Sequence, residues 1–306
     1  MKRFGSVRLW VSLASAGFLL ASLLSNGRQM AQLSLDLQGW FWLLLGLGIS
    51  LLSLMVNGLA WGVVLRWLGH RPQWLAVMLL FLSSNLRKYL PGGIWHLHQR
   101  LRALQRQSHP LSGPQALLAV LLDPVLMAVA ALSLVPWGGW QGGLALLCLL
   151  PLVLLLPRLL NPLMERLERS KAQQLLEGGG VSAAPGSLQL AGYPWQPLLA
   201  ELAFVLLRFA GFACCVQAFE LAFHLGWGAW MAGFALAWTA GLVVPAAPGG
   251  LGVFETVLVL RLAGTVPEAP LLALALSYRV VVSLADLVAA ASARADLARL
   301  RNSRYC

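Results

Sequence analysis

Two Pro-Gly-Gly stretches interrupt apolar regions of the sequence and could bind an anion. The first, Pro91-Gly92-Gly93, lies within "RKYLPGGIWHLHQR" at residues 87–100. The second, Pro248-Gly249-Gly250, lies within "PAAPGGLGVFE", and the two motifs are 157 residues apart. Each is followed by an aliphatic residue, Ile94 or Leu251. Two similar interruptions at corresponding positions of two chain halves indicate a substrate site.

The backbone of each Pro-Gly-Gly motif explains how it could bind an anion. Proline ends an incoming helix because it lacks an N–H and clashes with the preceding turn. Two glycines then permit backbone angles that other residues resist. The next helix begins with N–H groups that have no partner, and its positive end suits a phosphate. Inside a membrane such donors need a protein, water or ligand acceptor, so two of them meeting predict a polar pocket. An ordinary loop at each motif is the alternative.

Polar side chains flank both motifs. Arg87 and Lys88 precede the first, where they either extend to lipid headgroups at the surface or contact phosphate in the pocket. His96 and His98 are two residues apart and therefore lie on opposite sides of a helix, which is poor metal geometry. No metal and no cofactor is expected. Glu255 follows the second motif by five residues and is expected to face the pocket.

Further ionisable residues lie inside apolar runs, where each costs about 2.5–3.5 kcal/mol at mid-bilayer on insertion scales. They should face the protein interior or water, either as ion pairs between helices or as substrate ligands. An Asp123–Arg208 pair is one such prediction. The candidate substrate-binding residues are Arg87, Lys88, Pro91, Gly92, Gly93, His96, Arg208, Pro248, Gly249, Gly250, Glu255 and Arg279. No catalytic residue is assigned.

The elements that position these residues are apolar helices. The 306 residues are 59% hydrophobic and 11% charged, with a mean hydropathy of +0.75. Several runs approach the roughly 20 residues that a spanning helix needs. The sequence therefore predicts an all-α, polytopic integral membrane protein. Its apolar segments fall at 9–26, 40–65, 74–86, 115–136, 143–157, 198–225, 229–247, 251–263 and 269–292.

Charge placement predicts the topology. The net charge of +11 comes mainly from Lys and Arg in short loops and at the ends of apolar runs, which indicates membrane orientation rather than nucleic-acid binding. The N-terminus, the linker at 158–197 and the basic C-terminal tail are expected in the cytoplasm, with the first apolar run an uncleaved helix. About six full spans plus two re-entrant hairpins, in inverted repeats, satisfy these constraints. The halves are 1–157, with a hairpin at 74–106, and 198–306, with a hairpin at 229–263.

These motifs resemble those of a known family. "KYLPGGIW" and "PGGLGVFE" are similar to signature segments of the flippase-like, lysylphosphatidylglycerol synthase membrane-region family, and "SYRVVV" (277–282) resembles its final helix. The resemblance implies a multi-spanning inner-membrane protein. Bifunctional relatives add a soluble aminoacyl-transferase domain, which is not expected here. Asp286 and the histidine-rich "HLHQR" depart from the family pattern.

The expected function is lipid translocation or lipid handling, with an anionic headgroup or phosphate bound between the two motifs. A membrane phospholipid or lipid-linked anion is the expected partner. One alternative is a membrane enzyme that transfers a group to or from a lipid-linked substrate, with Glu255 or His96 as its base. Another is a non-transporting partner of a lipid-modifying enzyme. The sequence contains no nucleotide-binding loop, Ser-His-Asp order or H-E-x-x-H motif, which disfavours an energised pump or a hydrolase.

Overall fold

A computed structural model describes residues 35–89, 95–106, 113–139, 143–162, 165–166, 190, 192–244 and 248–302. Within these ranges the chain forms helices and turns, without a strand. The principal helices are α1 (Leu37–Trp67), α2 (Trp74–Asn85), α3 (Trp95–Gln105), α4 (Gly113–Leu132), α5 (Leu144–Leu154), α6 (Trp195–Ala218), α7 (Trp227–Val243), α8 (Val253–Leu262) and α9 (Glu268–Asn302). The all-helical prediction is therefore confirmed.

Four of the described helices are long and apolar enough to cross a membrane. They are Leu37–Trp67, Gln115–Gly138, Trp195–Ala218 and Glu268–Leu300. Ala145–Leu154 and Trp227–Val243 are shorter apolar helices. The first apolar segment, 9–26, lies outside the described residues. The helices support a multi-pass membrane protein, and the total of six spans stays a prediction.

Two helix ends differ from the predicted apolar segments. The segment predicted at 198–225 ends as a helix at Ala218, and Glu220 beyond it adopts a left-handed φ of 55°. The last helix instead continues to Asn302, ten residues past its predicted end. Its final turns are rich in Ala, Leu and Arg, which are strong helix formers. Hydropathy marks the end of the apolar surface, whereas helix propensity extends the backbone beyond it.

The halves of the chain pack along α1 and α6, the most extensive helix pair in the described structure. Small residues bring their backbones together. A Cβ atom on Gly46 would lie 3.1 Å from the carbonyl oxygen of Gly211, and one on Gly211 would lie 2.7 Å from Ser50 Oγ. Such small-residue contacts are how membrane helices approach closely without a hydrophobic driving force between them.

Helices of the two halves also correspond along the sequence. The first residues of α1, α2, α3 and α4 precede those of α6, α7, α8 and α9 by 153 to 158 residues. This spacing matches the 157 residues between the Pro-Gly-Gly motifs. In each half, therefore, a short helix leads into the interruption and another short helix follows it.

Candidate functional site

The chain just before the first motif meets the second motif in the fold. After α2 the chain makes a 3₁₀ turn at Leu86–Tyr89, which contacts a second 3₁₀ turn at Pro248–Gly250. The Tyr89 ring covers Gly249 so closely that a Cβ atom there would lie 2.7 Å from a ring carbon. Pro91, Gly92 and Gly93 lie outside the described residues. The described approach to the first motif thus packs directly on the second.

A cavity of about 200 Å³ opens beside these turns. Half of the predicted substrate-binding residues line it: Lys88, His96, Arg208, Gly249, Gly250 and Arg279. Arg87 is exposed and is not part of the lining. Pro248 begins the second turn. Glu255 is buried but does not line the cavity, contrary to the expectation that it faces the pocket.

The second turn is held by an arginine–glutamate clamp. Arg279 Nη1 and Nη2 donate to the carbonyl oxygens of Gly249 and Gly250, both at 2.7 Å. Its Nε donates to Glu255 Oε1 at 2.8 Å, and Glu255 Oε2 accepts from the Gly252 N–H at 2.8 Å. Both carboxylate oxygens of Glu255 are thus engaged. This geometry makes Glu255 a positioning residue, because it fixes the start of α8 and orients Arg279.

The first turn is held by Asp286. Its Oδ1 accepts from Asn85 Nδ2 at 2.7 Å, and its Oδ2 accepts from the Tyr89 hydroxyl at 2.6 Å. Lys88 Nζ pairs with the same Oδ2 at 2.6 Å. Asp286 is fully buried, so these three donors replace the water that its charge would otherwise require.

A single helix therefore fixes both turns. Arg279 and Asp286 are seven residues apart on α9, a spacing that places them on one face of the helix. Tyr278, next to Arg279, also lines the cavity and packs against the rings of Phe212 and Phe254. The "SYRVVV" segment thus contributes a cavity wall and the clamp of the second turn.

Asp123 pairs with Arg100, so the predicted Asp123–Arg208 pair is wrong. Arg100 Nη1 lies 3.1 Å from Asp123 Oδ2, and both side chains are buried. The guanidinium also stacks on Phe81, 3.7 Å from the ring centroid. The pair joins α3 to α4, and both of its members line the cavity.

Arg208 differs from Lys88, Arg100 and Arg279 in the same cavity because it has no acidic partner among the described residues. Its side chain on α6 is 4% exposed, yet Nε and Nη1 find no hydrogen-bond partner among the described residues. The Phe204 ring centroid lies 5.6 Å from the guanidinium carbon. Burial of a guanidinium without hydrogen bonds is costly, because the water that it loses is not replaced.

The sequence interpretation missed three residues of this arrangement: Tyr89, Arg100 and Asp286. Tyr89 lies within the "KYLPGGIW" motif, so its position beside the first interruption could have been predicted. Arg100 lies in the returning arm of the hairpin predicted at 74–106 and received no role there, although Leu97, Leu101 and Leu104 around it form the buried face of α3. A search for helical periodicity in that polar stretch would have found the buried arginine.

Comparison with known proteins agrees with the helices and motifs. No curated protein matches the chain. Residues 8–290 match the family described as the lysylphosphatidylglycerol synthase TM region. That match spans most of the sequence and includes both Pro-Gly-Gly motifs and the clamp on α9. The chain therefore belongs to the lysylphosphatidylglycerol synthase transmembrane-region family.

Proposed function

We propose that this protein translocates an anionic membrane lipid between leaflets, with the lipid headgroup bound in the cavity between the two turns. The observation that carries the proposal is the buried guanidinium of Arg208 in that cavity, whose Nε and Nη1 have no hydrogen-bond partner among the described residues. The membership of the chain in a lipid-related membrane family supports it.

The charges around the cavity favour a monoanion. Among the described residues, Lys88 is balanced by Asp286, Arg279 by Glu255 and Arg100 by Asp123. Arg208 has no such acidic partner in that part of the chain. A phosphodiester carries one negative charge, shared by two non-bridging oxygens that can both accept hydrogen bonds from the fork of a guanidinium. A phospholipid phosphodiester therefore fits the cavity better than a multiply charged group.

The arrangement of the halves supports an inverted repeat with two re-entrant hairpins. In the first half, Arg100 on α3 pairs with Asp123 on α4; in the second, Glu255 on α8 pairs with Arg279 on α9. The corresponding residues are 155 and 156 residues apart, with the charges exchanged. Repeats of this kind place the substrate site at their interface near mid-membrane. Six full spans and a location in the plasma (inner) membrane complete the proposal.

Arg208→Gln is expected to weaken binding of phosphatidylglycerol about ten- to a hundredfold, because a hydrogen bond to a charged group contributes about 1.5–3 kcal/mol. Binding is measured with purified protein and vesicles of phosphatidylglycerol or phosphatidylcholine. Arg261→Gln is the matched control, since Arg261 is exposed on α8. Equal affinity of wild type and Arg208→Gln for phosphatidylglycerol would contradict the proposed site.

Measurements on reconstituted vesicles also distinguish lipid translocation from chemical modification of the lipid. Labelled phosphatidylglycerol should change leaflet without a change in its mass. A changed lipid mass would instead support the group-transfer alternative, for which the engaged carboxylate of Glu255 is a poor base. Neither exchange nor mass change would support a non-transporting partner of a lipid-modifying enzyme.

The proposed orientation predicts where the central linker lies. A single cysteine at position 175, in a variant lacking Cys148, Cys214, Cys215 and Cys306, should stay unlabelled by an impermeant thiol reagent in intact cells. It should react once the membrane is opened. This outcome is expected because Arg158, Arg166, Arg169 and Lys171 hold the linker in the cytoplasm. Labelling from outside intact cells would overturn the topology.

A further inference from the structure

Another buried carboxyl group, that of Glu201, interacts with the Arg100–Asp123 pair. Glu201 on α6 is 0% exposed, and neither of its carboxyl oxygens accepts a hydrogen bond from a donor in the described ranges. Helices α4 and α6 pack against each other, and the carboxyl groups of Asp123 and Glu201 interact across that contact. Asp123 Oδ1 likewise has no donor among the described residues.

The charge balance of this cluster requires a proton. Arg100 offsets one carboxylate through its contact with Asp123 Oδ2. A second carboxylate would then lie unpaired in a buried site, beside a group of the same charge. Two neighbouring carboxylates repel each other in a buried site, so one proton stays bound, and a proton shared between the two groups supplies the missing donor. The proton satisfies Asp123 Oδ1 and one Glu201 oxygen together.

We propose that Asp123 and Glu201 form a proton-binding site that holds one proton at neutral pH and links protonation to anion binding in the cavity. Asp123 and Arg100 line the cavity, whereas Glu201 does not. Release of the proton adds a negative charge next to the anion site, so it opposes binding of an anionic headgroup. The linkage rests on the proposed function, whereas the proton site does not.

Other charged groups surround the cluster from each packed helix. Arg100 reaches it from α3, and its Nε also donates to Ser84 Oγ on α2 at 3.2 Å. Arg208 lies two turns from Glu201 on α6. His96, Lys88, Tyr278 and Arg279 line more distant parts of the same cavity. A pH effect must therefore be assigned by comparing wild type with a Glu201 variant, not from wild type alone.

Infrared spectroscopy tests the proton site directly. Wild-type protein at neutral pH should show a carboxylic-acid C=O band that shifts when the protein is produced in D₂O, which separates it from lipid ester carbonyls. Glu201→Gln should lose that band, whereas Asp286→Asn should keep it, because Asp286 pairs with Lys88 and does not belong to the Asp123–Glu201 pair. Absence of the band in wild type, or its persistence in Glu201→Gln, would overturn the proposal.

Binding of phosphatidylglycerol vesicles tests the linkage. Glu201→Gln should bind as wild type does at neutral pH, since glutamine resembles the protonated acid. As the pH rises, wild type should lose affinity when the pair releases its proton, and Glu201→Gln should keep it. A parallel loss in both proteins would overturn the linkage. If Arg208→Gln proves harmless, the cavity proposal fails, but the infrared result still decides the proton site.

Discussion

Arg100→Ala is expected to lower the free energy of unfolding by about 3–5 kcal/mol, because it leaves Asp123 buried without its counter-charge. Asp123 is 0% exposed and its Oδ2 lies 3.1 Å from Arg100 Nη1. The substitution also removes the guanidinium that stacks on Phe81. Unfolding of the purified protein in mixed detergent micelles, followed by circular dichroism as SDS is added, measures the change.

Arg208→Ala is the matched comparison. Both arginines are buried and both line the cavity, but only Arg100 has an acidic partner in the described structure. Removal of Arg208 takes away an unpaired buried charge, so stability should be unchanged or higher. The double variant Arg100→Met/Asp123→Asn should recover much of the loss, since it removes both charges. A protein that tolerates Arg100→Ala but not Arg208→Ala would contradict this assignment of ion pairs.

The sequence alone predicts the helical class of the protein and the approximate bounds of most described helices. Long apolar runs predicted most helices to within a few residues, because membrane helices must be both apolar and of sufficient length. The two similar Pro-Gly-Gly motifs, 157 residues apart, also predict two inverted halves, and that relation stays a prediction. The fold adds that the turn at Leu86–Tyr89, which precedes the first motif, lies against Pro248–Gly250.

The partners of the buried charges were harder to predict. The choice of Arg100 rather than Arg208 for Asp123 depends on where α3 and α6 lie around α4, which no spacing along the chain encodes. The role of Asp286 was predictable in principle. Its separation from Arg279 by seven residues places both on one face of α9, yet Asp286 was interpreted as a departure from the family pattern.

At the two glycines of the second Pro-Gly-Gly motif, any residue larger than glycine is expected to destabilise the protein. Gly249 and Gly250 have φ values of 62° and 72°, which non-glycine residues adopt at a cost of about 1–3 kcal/mol each. A Cβ atom on Gly250 would also lie 2.8 Å from the carbonyl oxygen of Gly241. Because that obstacle is backbone, it cannot move as a flexible side chain would. Crowding of this kind adds about 1–3 kcal/mol to the cost.

Gly250→Ala is therefore expected to destabilise the protein more than Gly69→Ala, and Gly69→Ala more than Gly264→Ala. Gly69 has a φ of 89° but open space around it, so it isolates backbone strain from crowding. Gly264 has neither constraint. The same SDS titration ranks the three variants. An equal effect of the alanine at all three positions would show that the turn is not a close contact.

The larger change, valine at both Gly249 and Gly250, should abolish phosphatidylglycerol binding and translocation. Valine at 249 would displace Tyr89, which donates to Asp286, and valine at 250 would push the turn away from Arg279. The corresponding change at Gly92 and Gly93 should do the same if the two halves are equivalent. Each variant must first be shown to be folded by its elution as a single species in detergent. Folded variants of both pairs that bind and move lipid like wild type would reduce the two motifs to ordinary loops.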